Sequence, residues 1–81
     1  MDSFGVLGIL SALVGLSAFI ANEYDKLSAE SFLYDLLNFL SGVGLFIYAF
    51  HEGVVPFMLT NGVWAVVSGI DVVKYLLRNY V

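Results

Sequence analysis

Five residues in the last third of the chain have types and spacings that can do chemistry: Asn61, Trp64, Ser68, Asp71 and Tyr75. Their separations of 3, 4, 3 and 4 put all five on one face of a helix. They interrupt an otherwise apolar run, Val54 to Leu77, opened by the only proline, Pro56, and closed by Lys74 and Arg78. A polar stripe on an apolar helix turns towards partner helices or a wet path when the solvent is lipid. A second set repeats the pattern upstream: Tyr34, Asn38, Ser41, Leu45 and Tyr48, at separations of 4, 3, 4 and 3, with Asp35 and Gly42 beside them. Amides, hydroxyls and an indole can exchange hydrogen bonds with a neutral polar solute. They can equally hold helices together, where such a bond contributes roughly 0.6 kcal/mol and at most about 2. The residues that fit a solute site are Asn61, Trp64, Asn38, Ser68 and Tyr48. Trp64 lies too deep in its run to be an interfacial belt residue, so it either packs between helices or offers a ring to a ligand.

Bond-making chemistry finds no support. No nucleophile is paired with a base, and the single histidine, His51, sits in a short polar turn beside Glu52 without a triad partner. There is no cysteine and no glycine-rich phosphate loop, so neither a metal nor any other cofactor is expected, and the chain does not read as an enzyme. A net charge of −4 argues against nucleic acid, whose backbone needs clustered Lys and Arg.

The elements that must position these residues follow from composition. The 81 residues are 60% hydrophobic and 12% charged, where soluble chains carry roughly 25% charged residues. A small soluble domain could not bury that much apolar surface, so a lipid bilayer is the expected partner. Three runs are long enough to cross a hydrocarbon core, which takes about 17–25 helical residues: 4–21, 32–50 and 54–77. An amino-terminal signal peptide is disfavoured, because Asp2 stands where a basic stretch belongs. Asp71 costs about 2.5–3.5 kcal/mol on the insertion scale, against very roughly −4 to −7 from the twelve Leu, Ile, Phe and Val residues of its run. It lies near the end of the run, where an interfacial ion pair with Lys74 is expected.

The whole chain, residues 1–81, is thus expected to form one all-α, three-helix transmembrane bundle. All three basic residues, Lys26, Lys74 and Arg78, fall on the side shared by the first loop and the carboxyl terminus. The positive-inside rule puts that side in the cytoplasm and the amino terminus outside, across a plasma (inner) membrane. Tyr24, Tyr34, Tyr75 and Tyr80 lie near the expected interface as aromatic anchors. In the first span Gly8 and Ala12 form one small-xxx-small pair and Ser11 and Gly15 another, the pattern that lets membrane helices approach closely. Gly42 offers the same in the second span. A rotary-ATPase proteolipid hairpin is excluded, because there are three spans and glycines 5, 8 and 15 do not alternate.

Leu45-Phe46-Ile47-Tyr48-Ala49, the short turn, Pro56 and then Asn61-Gly62-Val63 resemble the end of the SWEET and SemiSWEET sugar-transporter unit. A closer resemblance is to an uncharacterised group of short bacterial three-helix membrane domains. It rests on Leu27-Ser28-Ala29-Glu30-Ser31, Tyr34, Asn38, Gly42 and the spacing of Pro56 to Trp64. The transporter resemblance implies a homodimer that carries a small neutral, sugar-like solute by rocking one three-helix unit against the other. It implies that Asn61 and its symmetry mate bind the solute, with Trp64 as a stacking surface and Asn38 assisting. The sequence departs from the transporters at their Pro-Gln hinge, where Ala21 and Asn22 stand, and at a tryptophan before the second-helix tyrosine, replaced by Phe46. The alternative expectation is therefore a non-transporting accessory or scaffold subunit of a larger membrane complex.

Overall fold

A computed structural model describes residues 2–80, with side chains through Arg78. The described residues form three helices: α1 (Ser3–Glu23), α2 (Phe32–Glu52) and α3 (Val55–Tyr80). Each is long and apolar enough to cross a membrane. The side chain of Tyr80, one of the expected anchors, lies outside the described residues.

The helix ends follow from local chemistry. Asp2 caps α1, its Oδ1 accepting from the Gly5 amide at 2.8 Å. At the other end of α1 the backbone closes through Lys26 N–H to Ala21 O at 2.8 Å. The Asn22 amide clasps the loop by donating to Leu27 O at 3.0 Å. Ser31 caps α2, accepting from the Tyr34 amide, and places Asp35 in the favourable first turn. Gly53 ends α2 in the left-handed conformation (φ 74°), which only glycine adopts at little cost. The expected polar turn at His51 and Glu52 is the last turn of α2 instead, because the chain reverses only at Gly53. His51 stacks on Phe4 of α1, with ring centroids 3.9 Å apart. Pro56 falls in the first turn of α3, where its missing N–H costs nothing.

Burial is inverted relative to a soluble domain. The buried apolar residues are Ala18, Ala49 and Ala65, while the buried polar ones are Ser11, Asn38, Ser41, Asn61 and Ser68. Large side chains point outward: Phe50 and Leu59 are each 69% exposed. Small and polar residues inside with bulky apolar ones outside is the arrangement that lipid favours, since the hydrocarbon itself solvates Leu and Phe.

The helices stand in a row rather than in a closed bundle. α2 packs on both neighbours, and the backbones of α1 and α3 do not reach packing distance. The overall dimensions, 41 × 28 × 20 Å, are wider than deep, as a row requires. The reason lies in α2, which carries small residues on two faces. On one, Ser41 donates to Ser11 O at 2.7 Å and Gly44 lets Ser11 approach; Tyr48 lies over Gly8, where an added Cβ would meet its ring at 2.8 Å. On the other, Gly42 abuts the backbone of Ala65, where a Cβ would meet the amide at 3.0 Å. Of the expected packing residues, Gly8, Ser11 and Gly15 lie in the α1–α2 seam, and Gly42 serves α3. Ala12 sits at the rim, half-buried, lining an adjacent cavity.

Candidate functional site

At the end of the molecule that carries the first loop, α2 and α3 leave a cavity of about 300 Å³. Its polar and aromatic lining is Tyr34, Asp35 and Asn38 from α2 with Trp64, Ser68 and Asp71 from α3; Ala29, Val63 and Val67 complete it. Helical periodicity explains the set. Tyr34 and Asn38 are one turn apart, as are Trp64, Ser68 and Asp71, so each helix turns one stripe to the gap. The Gly42–Ala65 contact fixes the stagger that brings the two stripes opposite each other.

A side-chain hydrogen bond crosses the gap. Trp64 Nε1 donates to Asn38 Oδ1 at 3.0 Å, while Asn38 Nδ2 donates to Tyr34 O at 2.9 Å on its own helix. The indole is 54% exposed, so it flanks the cavity rather than filling a core. Ser68 is 8% exposed and its hydroxyl has no partner among the described residues. Among the described residues no fully buried side-chain oxygen or nitrogen lacks a hydrogen bond, so the Ser68 oxygen opens onto the cavity. Asp35 is half-buried and Asp71 exposed, and no Lys or Arg lines the space.

Three of the five residues expected to bind solute thus come together: Asn38, Trp64 and Ser68. Two do not. Asn61 is buried against α2 and donates its Nδ2 to Phe57 O at 2.9 Å, one turn back on its own helix. Tyr48 packs on Gly8 and lines a separate space of about 520 Å³ at the opposite end, with Asp2, Glu52 and Phe57. The expected ion pair of Asp71 with Lys74 is not formed. Asp71 lines the polar cavity, whereas Lys74 lines an apolar groove on the other side of the α2–α3 seam, with Phe39, Gly69 and Val73. Tyr75, next to this end of α3, packs against Phe32 with the rings tilted at 32° and their centroids 4.8 Å apart. Asp71, expected in an interfacial ion pair, and Asp35, not named among the solute residues, also line the cavity; the signal was present, since Asp71 belongs to the Trp64–Ser68 stripe and Asp35 adjoins Tyr34.

Among the described residues no cluster of three or more His, Cys, Asp or Glu side chains is placed to hold a metal ion. The arrangement offers hydrogen-bond acceptors, two carboxylates and an aromatic ring at the mouth of an interhelical gap, which is binding chemistry. A protein-family model, that of an uncharacterised family, matches residues 4–79. Comparison with curated proteins and with solved structures found no match.

Proposed function

The chain belongs to the uncharacterised family that matches it almost from end to end, and from that premise we infer that it is a small multi-pass membrane protein that binds a small polar solute between α2 and α3. The observation that carries this reading is the cavity itself. In a row of apolar helices, Asn38, Trp64, Ser68, Asp35 and Asp71 gather at one opening instead of scattering along the lipid face. Isolated polar residues serve as helix glue, but glue is saturated by its partner, and Ser68 has none among the described residues.

Three helices in a row cannot surround a path, so a second copy supplies the missing wall in a homodimer, and solute passes by rocking of the two units. The basic residues Lys26 and Lys74 share an end with Arg78, which faces the cytoplasm by the positive-inside rule, so the cavity opens inward across a bacterial inner membrane. No step makes or breaks a bond, so the protein is a carrier and not an enzyme. The transporter resemblance implies a neutral, sugar-like solute; the lining itself offers acceptors at Ser68, Asn38 and the two carboxylates to any solute that carries O–H or N–H donors.

Uptake of labelled glucose and of a panel of small polar solutes into proteoliposomes tests the reading. Transport that falls with Ser68→Ala and Asn38→Ala but not with Asn61→Ala supports it. Absence of uptake for every solute, with the variants indistinguishable from the parent, removes it.

A second reading is favoured by a different observation. Ser41, Asn61 and Trp64 all find hydrogen-bond partners within the chain, and an apolar groove of about 730 Å³ runs along α2 and α3 past Val43, Phe46, Met58 and Gly62. An accessory subunit of a larger complex would use such a groove for a partner helix. Purification in mild detergent separates the two readings: a stoichiometric larger partner favours the subunit, a homodimer alone the carrier.

A further inference from the structure

We propose that the cavity between α2 and α3 selects a solute bearing an ammonium group, with Asp35 and Asp71 as its counter-charges, Trp64 as its aromatic wall and the Ser68 hydroxyl as an acceptor. This rests on the reading of that cavity as a binding site.

Four observations converge on the charge of the ligand. Two carboxylates line one small space, from different helices. The nearby cation, Lys74, is turned to the opposite side of the seam and makes no ion pair with Asp71 among the described residues, so the protein does not neutralise the pair itself. The Trp64 ring lines the same space, and the indole is the side chain that attracts a cation to its face most strongly. The Ser68 residue is only 8% exposed, and its hydroxyl, without a partner among the described residues, opens onto the cavity where an N–H donor can meet it. Asn38 adds its Oδ1, which already accepts from Trp64 and retains a second lone pair.

A neutral solute would satisfy Ser68 and leave both carboxylates of the space without a counter-charge. An anion would meet both carboxylates and no cation. An ammonium group answers all of these features at once, and a space of about 300 Å³, at the lower limit of ligand pockets, restricts it to a compact molecule. The same chemistry is presented by a free amine or by an ethanolamine lipid headgroup, and the cavity lies at an end of the helices where either can arrive.

Trp64 is the only tryptophan, so its emission reports on the cavity directly. The full chain is reconstituted into phosphatidylglycerol vesicles and titrated with ethanolamine, choline, glucose and acetate. A saturable emission change is expected with ethanolamine, a weaker one with choline, whose quaternary nitrogen has no N–H for Ser68, and none with glucose or acetate. Asp71→Asn should weaken the response about fivefold and Asp35→Asn, at a half-buried site, about tenfold. Ser68→Ala should weaken it less, and far-ultraviolet circular dichroism establishes that each variant keeps its helices. Vesicles containing phosphatidylethanolamine identify the source. If they shift the emission beforehand and abolish the response to free ethanolamine, the ammonium belongs to the lipid; if the response survives, it belongs to a solute. Saturation by glucose and not by the amines overturns the ammonium inference while the solute site stands. No saturable response to any of these probes in either kind of vesicle overturns both.

Discussion

Along the α1–α2 seam, Ser41 donates to the Ser11 carbonyl, Tyr48 covers Gly8 and Gly44 admits Ser11, so the two helices close on each other at several points. Along the α2–α3 seam, Gly42 and Ala65 touch at one point and the helices then part, leaving Ser68, Asp35 and Asp71 around an open space spanned by an indole–amide hydrogen bond. The same helix contributes to both seams, and both use glycine for close approach. What differs is the residues beyond the point of contact. Serines within a close-packed stripe make a fastener, whereas carboxylates, an indole and a serine beyond a single pinch make a pocket. In a membrane that distinction separates polarity spent on assembly from polarity left for a ligand.

The comparison breaks most severely at the pinch. Gly42→Leu pushes a side chain into the Ala65 backbone and should destabilise the α2–α3 pair by about 3 kcal/mol, the upper range of overpacking costs. Gly44→Leu should do the same to the α1–α2 pair. Thermal unfolding in mild detergent measures both, but only Gly42→Leu should also abolish the solute response of Trp64. Next in size is the bond across the gap. Trp64→Phe and Asn38→Ala should each cost roughly 0.6–1.7 kcal/mol, and the double variant little more than either alone, because both remove one interaction. A smaller effect, about 0.6 kcal/mol, is expected of Ser41→Ala, with solute uptake intact, since the fastener is remote from the pocket. Smallest of all is the effect of Asn61→Ala on uptake, which should be unchanged, because that amide is turned to its own helix.

Much of the architecture was legible in the sequence. Spans expected over 4–21, 32–50 and 54–77 correspond to helices Ser3–Glu23, Phe32–Glu52 and Val55–Tyr80. The structure extends them because capping, not hydropathy, ends a helix: α2 continues through His51 and Glu52 to Gly53. The pocket was half legible. Periodicity alone places Trp64 with Ser68, and Tyr34 with Asn38. It does not give the stagger between helices, which depends on where Gly42 meets Ala65, and so it could not say that Asp35 and Asp71 flank the same space. Near a helix end a carboxylate that lines a pocket looks, in sequence, the same as one that anchors at an interface. Asn61 misled for the opposite reason: mid-span polarity draws attention, but an asparagine amide can satisfy itself on the carbonyl one turn back. The row of helices was not legible at all, because three amphipathic or small-residue faces do not state which pairs of helices meet.

The α2–α3 seam is open at Ser68, which lines the cavity, and shut at Asn61, so one face of one helix is divided in two. The chain has no cysteine, so single replacements can be read without background. Ser68→Cys and Asn61→Cys are each reconstituted into vesicles and exposed to a charged, membrane-impermeant maleimide. Rapid labelling of S68C from the side that bears Lys26, together with protection of N61C until the vesicles are dissolved and denatured, is the predicted result. Labelling of N61C with S68C protected would contradict the account.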